Sequence, residues 1–149
     1  MVSLHSLFLL LLTGCGGTSF SQGVRNSEIN VLTGLPGKNG PVVAVKFDDT
    51  SFAHPQEGVE DADIVFVTQV EAGLTRLLAI YSSKYPEQVG PVRSARISDI
   101  DILAQFGKVG FAYSGAQKKM RPILSAANLV NLSAERNSPK VYPTDPERT

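Results

Sequence analysis

Two arginines, Arg93 and Arg96, follow a Gly-Pro pair in the segment GPVRSARISDIDI. Guanidinium groups bind carboxylates and phosphates through planar, paired hydrogen bonds. If Pro91 begins a helical turn, both arginines share one face with free backbone N–H groups, and the segment would form an anion site. If the segment is extended, the two side chains point apart. Asp99 and Asp101 follow closely, so an internal ion-pair network is the competing interpretation.

Arg76 is a second candidate because it interrupts an apolar run, LTRLLAIY, that is typical of a buried strand. An unpaired charge inside a protein is strongly destabilising, so Arg76 needs a carboxylate or a bound anion beside it. Glu71 lies across a predicted turn, and Asp48 or Asp49 at the end of an earlier strand is within reach. A buried ion pair that orders the core is the commoner outcome, and an anion site is the functional alternative.

Carboxylates offer a different chemistry. Asp48, Asp49 and Glu71 would act as acid, base or metal ligands in a hydrolase or transferase, with the arginines holding the substrate. Adjacent aspartates at a strand end are more often turn and capping residues. The two histidines are His5 and His54, and no serine lies in a recognisable nucleophile motif, which disfavours a serine hydrolase. The sequence has no cofactor-binding motif, and we predict no cofactor.

The elements that position these residues predict an α+β fold with a mixed or antiparallel sheet, a central hairpin and two or three helices. GPVVAVKFDD predicts a strand over 42–47 that ends at the two aspartates. Two β-rich runs around EAG predict a hairpin with Gly73 in the left-handed position. Apolar residues on both faces of its strands predict that the hairpin is central in the sheet.

Two helices and a further strand are predicted after the hairpin. ISDIDILAQFG predicts a helix with Ser98 as its N-cap and Gly107 at its end. KVGFAYSG predicts a strand over 109–113. A second helix begins near Ser114, and Pro122 must kink or divide it.

The N-terminus predicts export and a lipid anchor. SLFLLLLTGC is an apolar run of signal-peptide length and is too short to span a membrane as a mature helix. Its last four residues resemble the bacterial lipobox, and Cys15 is the single cysteine of the chain. We predict a signal peptide over 1–14, lipidation of Cys15, and a location on the extracytoplasmic face of the bacterial cell membrane. The opening MVSLHS lacks the basic residues usual in signal peptides.

The remainder divides into three parts. Residues 15–29 are small and polar and predict a flexible tether. Residues 30–132 predict one α+β domain, and residues 133–149 an irregular, incomplete C-terminal end rich in proline.

The distribution of charge along the chain indicates which classes of binding partner it disfavours. The chain has 14 basic and 14 acidic residues, so nucleic-acid binding has no electrostatic support. Acidic residues predominate from Glu28 to Glu71, and basic residues predominate from Arg76 onward. The two halves are therefore expected to attract each other within one domain.

Four stretches, in this order, resemble the YerB-like lipoproteins, a bacterial family named for a domain of unknown function: PVVAVKFDD, AHPQEGVEDADIVFVTQVEAGLTRLLAIY, PEQVGPVRSARISDIDI and FAYSGA. The resemblance implies an extracytoplasmic, membrane-tethered α+β protein without an established activity. One departure is Ala72, which stands where a second glycine is frequent. The resemblance singles out six motif positions: Glu71, Thr75, Arg76, Arg93, Ser94 and Arg96.

These patterns favour one hypothesis and leave two alternatives open. The favoured hypothesis is a cell-envelope lipoprotein that binds an anionic ligand, such as a cell-wall polymer or the carboxylates of a partner protein. Its arginine cluster, oriented by Glu71 and Asp48, comprises Arg76, Arg93 and Arg96. The first alternative is a carboxylate- or metal-dependent envelope hydrolase or transferase. The second is a scaffold for another envelope protein, in which the arginines are purely structural.

Overall fold

The computed structural model describes residues 28–137 and 140–143. The predicted signal peptide, Cys15 and the tether up to residue 27 lie outside the described residues. Within the described ranges, no helix combines the length and the hydrophobicity needed to cross a membrane.

A five-stranded mixed sheet and two α-helices make up the described part of the chain. The sheet order is β2-β3-β1-β4-β5, in which β2, β3 and β1 are antiparallel neighbours and β4 is parallel to both β1 and β5. This architecture confirms the predicted α+β class. The elements in chain order are β1 (Val43–Asp48), β2 (Ile64–Gln69), β3 (Thr75–Tyr81), α1 (Ile97–Leu103), β4 (Val109–Ala112), α2 (Arg121–Ala126) and β5 (Leu129–Asn131).

The β2–β3 hairpin lies at one side of the sheet, and its predicted central position is wrong for β2. This strand is an edge strand, and its Val65 and Val67 are 41% and 67% exposed. β3 is internal and lies between β2 and β1. The prediction failed because β-branched residues favour a strand whether or not both of its faces are covered.

Apolar residues form a core on each face of the sheet. One face packs against α1 and α2, and the other packs against loop residues such as Val59 and Val89. Because successive strand residues point to opposite faces, Ala44, Lys46 and Asp48 share the α1 side of β1. The sheet therefore places two charged groups of β1 on the side covered by helices.

The first helix begins earlier than its sequence signals predicted. Arg96 is the residue before the helix, and its backbone N–H donates to Asp99 Oδ2 at 2.7 Å. The predicted N-cap, Ser98, therefore lies inside α1, because Asp99 reaches back over one turn and satisfies the N–H at the helix start. A 3-10 turn follows α1, and Gly107 with φ 75° ends it as predicted.

Pro122 lies at the start of α2. The predicted start of this helix near Ser114 is wrong, because a 3-10 turn covers Lys118–Met120 and α2 itself begins at Arg121. The Ser114 N–H donates instead to Arg93 O at 3.0 Å, which holds this stretch against the segment before α1. The first helical turn tolerates proline because its N–H groups have no partner within the helix. β5 has no predictive signal in the sequence, since three residues are too few to show a periodic pattern.

Candidate functional site

An open cleft of about 1580 Å³ lies at the end of β1. Asp48 and Asp49 enter it from β1, and Thr75 enters it from the start of β3. These residues meet because an antiparallel pair brings the end of one strand beside the start of the next, with Asp48 opposite Arg76 in the register. The loop after β1, the hairpin turn, the segment before α1 and residues such as Ser114 and Tyr142 complete the lining.

Asp48 holds two guanidinium groups. Its Oδ1 lies 3.1 Å from Arg76 Nη1, and its Oδ2 accepts a hydrogen bond of 2.6 Å from Arg93 Nε. The side chains of Asp48 and Arg76 are 4% and 10% exposed, whereas that of Arg93 is 53% exposed. Within this group of three, two positive charges face one negative charge, and Asp49 and Glu57 add further carboxylates to the cleft lining. Arg76 thus has the carboxylate partner that its buried position required.

The segment that carries Arg93 is extended, so of the two alternatives left open by the sequence, the helical turn at Pro91 is the one that does not occur. β4 runs beside Val43–Val45 only, so the last residues of β1 bond to this segment instead. The Arg93 N–H donates to Lys46 O at 2.7 Å, and Asp48 N–H donates to Pro91 O at 2.9 Å. These backbone N–H groups are therefore occupied and do not form the anion cradle that a helical turn would provide.

Arg93 and Arg96 consequently have different partners. Arg96 donates from Nη2 and Nε to Glu71 Oε2 at 2.9 and 3.1 Å, and this pair lies outside the cleft lining. Ser94 Oγ lies 3.5 Å from the hydroxyl of Ser114, which lines the cleft. The structure brings together Asp48, Thr75, Arg76 and Arg93, and it separates Arg96 and Glu71 from them.

The pKa values of two carboxylates reflect these contacts. Burial by itself raises the pKa of Asp48, but hydrogen bonds from Arg93 and the Thr50 N–H, with the guanidinium charges, outweigh it and lower the pKa. The pKa of Glu71 is also lowered, first by its own backbone N–H and then by Arg96. Both groups are ionised near neutral pH and are suited to orienting arginines.

Asp49 belongs to a second polar group in the cleft. Its Oδ2 accepts a hydrogen bond of 2.5 Å from Thr75 Oγ1, and its Oδ1 lies 3.2 Å from Gln56 Nε2 and 3.3 Å from His54 Nε2. Glu71 is engaged with an arginine elsewhere, so the three carboxylates of the hydrolase alternative do not form one set. Among the described residues, no group of three or more His, Cys, Asp or Glu side chains is arranged to hold a metal ion.

Sequence reasoning missed a buried ion pair on the α1 side of β1. Lys46 Nζ lies 2.6 Å from Asp99 Oδ1, both side chains are 0% exposed, and Lys46 also donates to Thr68 Oγ1 at 2.7 Å. Burial lowers the pKa of Lys46 and raises that of Asp99, and their mutual attraction opposes both shifts. Asp99 was expected to neutralise an arginine. Lys46 and Asp48 are two residues apart in β1, and this spacing could have indicated that their side chains lie on the same face of the sheet.

A model of the family described as "Protein of unknown function (DUF3048) N-terminal domain" matches residues 32–149. The chain belongs to this family. This DUF3048 domain is 52% identical over 54 residues to the "Putative lipoprotein YerB" of Bacillus subtilis (strain 168), a match that covers 36% of this chain and 16% of the relative. The YerB-like resemblance in the sequence is therefore confirmed.

A solved structure gives the same result for the fold. The crystal structure of the YerB protein from Bacillus subtilis matches this DUF3048 domain with a TM-score of 0.62 and 35% sequence identity. The match covers 70% of this chain and 38% of the YerB chain, so the present chain spans well under half of that relative's length.

Proposed function

We propose that this domain is the ligand-binding module of a lipid-anchored envelope protein, and that its cleft binds an anionic group through Arg93. One observation carries the proposal: Arg93 and Arg76 share a single buried carboxylate, and Arg93 is the exposed member of the pair. Asp48 holds the Nε side of the Arg93 guanidinium, and the exposed remainder faces the cleft. A guanidinium fixed in this way needs little reordering when it binds a carboxylate or phosphate.

Neighbouring groups strengthen the site. Arg76 is buried behind Asp48 and adds positive charge where solvent screening is weak. The hydroxyl of Ser114 lines the cleft and contacts Ser94, so hydroxyl donors accompany the guanidinium. Arg96 and Glu71 act indirectly in this proposal, because their ion pair joins the hairpin turn to the residue before α1.

The lipid anchor determines the cellular location at which the domain meets its ligand. In this proposal residues 1–14 are a signal peptide, Cys15 carries the lipid, and the residues up to 29 tether the domain over 30–132 to the extracytoplasmic face of the membrane. Anions within reach there include cell-wall polymers and the acidic side chains of envelope proteins. The mechanism is electrostatic recognition without a covalent step.

Binding of poly(glycerol phosphate) to the full chain in lipid nanodiscs tests the proposal. We expect binding that weakens as salt concentration rises and that falls about fivefold in Arg93→Gln, the effect of losing one charge pair. Lys84→Gln is the control, because it removes one positive charge from the far end of β3, where Lys84 pairs with Asp61. Thermal unfolding of each variant shows whether the fold is retained.

Two outcomes would overturn the proposal. One is the absence of binding at low salt by poly(glycerol phosphate), by acidic peptides and by inorganic phosphate. The other is an equal loss of binding in Arg93→Gln and Lys84→Gln, which would indicate a general charge effect and no site in the cleft.

A further inference from the structure

The cleft that contains Arg93 also exposes large apolar side chains. Phe52 is 88% exposed and Leu74 is 45% exposed, and both line the cleft. A single exposed apolar residue needs no explanation. An exposed phenylalanine and leucine within the same concavity as a fixed guanidinium are typical of a binding site for a ligand with both polar and apolar parts.

Phe52 is presented by a short, anchored turn. It lies in the 3-10 turn Ser51–Ala53, where Ala53 is 2% exposed and its N–H donates to Thr50 O at 2.9 Å. The Thr50 N–H in turn donates to Asp48 Oδ1 at 3.1 Å. One buried carboxylate therefore positions both the guanidinium of Arg93 and the turn that carries Phe52.

From this geometry we infer that the cleft binds an acidic peptide segment in which an apolar side chain accompanies the carboxylate. The inference rests on the proposed function and names its ligand class. Sugar rings are covered with hydroxyl groups that need hydrogen-bond partners when they are buried. The cleft lining also contains polar side chains, but its apolar side chains offer no such partners and suit a hydrocarbon side chain. The apolar members include Phe52, Leu74, Pro91 and Val92.

Three fluorescein-labelled peptides test the two contacts separately. The parent peptide is Gly-Phe-Asp-Gly with blocked ends, and its two relatives replace Phe by Ala or Asp by Asn. We expect each replacement to weaken binding to the full chain in nanodiscs about fivefold, measured by fluorescence anisotropy. Replacing Phe by Ala in the peptide should not weaken its binding to the Phe52→Ala variant any further. Replacing Asp by Asn in the peptide should likewise not weaken its binding to the Arg93→Gln variant.

A control variant and a control ligand complete the experiment. Val67→Ala removes an exposed apolar side chain on β2, outside the cleft lining, and should leave all three affinities unchanged. Poly(glycerol phosphate) carries charge without an apolar side chain, so its binding should depend on Arg93 and should not change in Phe52→Ala.

The outcomes separate this inference from the function on which it rests. If the Phe and Ala peptides bind equally well and both need Arg93, the peptide inference is overturned and anion binding stands. If poly(glycerol phosphate) binds through Arg93 and no peptide binds, the ligand is a polymer and the inference is again overturned. If no anion distinguishes the wild type from Arg93→Gln, the proposed function and the inference both fail.

Discussion

At the scale of single residues, Asp48 organises the cleft. It accepts from Arg93 Nε and from the Thr50 N–H, and it lies beside Arg76. No local pattern specifies these three contacts together, because their sequence separations are 45, 2 and 28 residues. The carboxylate of Asp49, its neighbour in sequence, has different partners, namely Thr75, Gln56 and His54. The two adjacent aspartates therefore have different roles, and their shared position at the end of a strand could not indicate this difference.

We predict that protonation of Asp48 contributes to acid unfolding. Its pKa is lower in the folded protein than in the unfolded chain. Its contribution to the free energy of unfolding is therefore fully present above the unfolded-state pKa of about 3.9 and is lost as pH falls through the folded-state pKa. Urea unfolding at a series of pH values below about pH 5 should show a steeper loss of stability for the wild type than for Asp48→Asn.

A matched variant identifies the source of this pH dependence. Asp101 is an exposed carboxylate on α1, and Asp101→Asn should follow the wild-type curve. At neutral pH, Asp48→Asn should itself lower the free energy of unfolding by about 3 kcal/mol, because Arg76 then remains buried without its partner. If the free energy of unfolding falls equally with pH in the wild type and in Asp48→Asn, a group other than Asp48 causes the loss of stability in acid.

At the scale of elements, the hairpin turn has the predicted left-handed glycine and also an alanine in the same unfavourable conformation. Gly73 has φ 72°, the predicted left-handed conformation, and Ala72 also has a positive φ of 60°. Two left-handed central residues match the right-handed twist of a hairpin and favour glycine or asparagine. Alanine at this position is disfavoured, since its Cβ approaches the neighbouring carbonyl oxygen.

Ala72→Gly should therefore stabilise the domain. Relief of the left-handed conformation gains about 1 to 2 kcal/mol, and the greater freedom of glycine in the unfolded chain offsets part of it, so we expect a net gain of about 0.5 kcal/mol in urea unfolding. Gly73→Ala is the companion variant. A Cβ at Gly73 meets no atom within 4 Å, so a loss of stability there would arise from the backbone conformation alone. Stabilisation by Gly73→Ala would contradict this account.

Helix and strand boundaries show how far local signals reach. β1, β3 and β4 lie where their β-branched and apolar runs predicted them, because a strand pattern is local. The start of α1 moved to Ile97 because Asp99, held against Lys46, accepts the N–H of Arg96. The buried contact between Lys46 and Asp99 thus decided that Asp99, and not the predicted Ser98, satisfies the N–H group at the start of α1.

At the scale of the whole molecule, ion pairs join the acidic first part of the chain to the basic second part, as its charge distribution predicted. Examples among the described residues are Asp48 with Arg76 and Arg93, Glu71 with Arg96, and Asp61 with Lys84. The buried pair of Lys46 and Asp99 has the opposite polarity and joins the sheet to α1. The exposed pairs contribute little, whereas the buried pairs of Asp48 with Arg76 and of Lys46 with Asp99 should respond strongly to substitution.

We predict strong coupling between Lys46 and Asp99. Lys46→Met or Asp99→Asn alone should lower the free energy of unfolding by about 3 to 5 kcal/mol, because each leaves a buried group without its partner. The double variant should lose clearly less than the sum, since neither charge remains buried alone. Asparagine keeps an oxygen that can accept the Arg96 N–H.

The exposed pair of Lys84 and Asp61 provides the control cycle. Lys84→Met and Asp61→Asn should each have a small effect, and the two effects should add nearly linearly, because water solvates whichever charge remains. Additive losses at Lys46 and Asp99 would show that the buried pair is not coupled and that α1 is held to the sheet by apolar packing alone.

The amino-acid sequence by itself determined the α+β class, the hairpin and its glycine, the family, and the residues that needed partners. Each of these depends on local periodicity, turn chemistry or motif order. Only the tertiary structure decided how the charges pair. Backbone hydrogen bonds to Lys46 O and from Asp48 N hold the segment before α1 extended along the end of β1. Arg93 is thereby directed to Asp48 and Arg96 to Glu71, since pairing between distant charges follows strand order and the path of the chain.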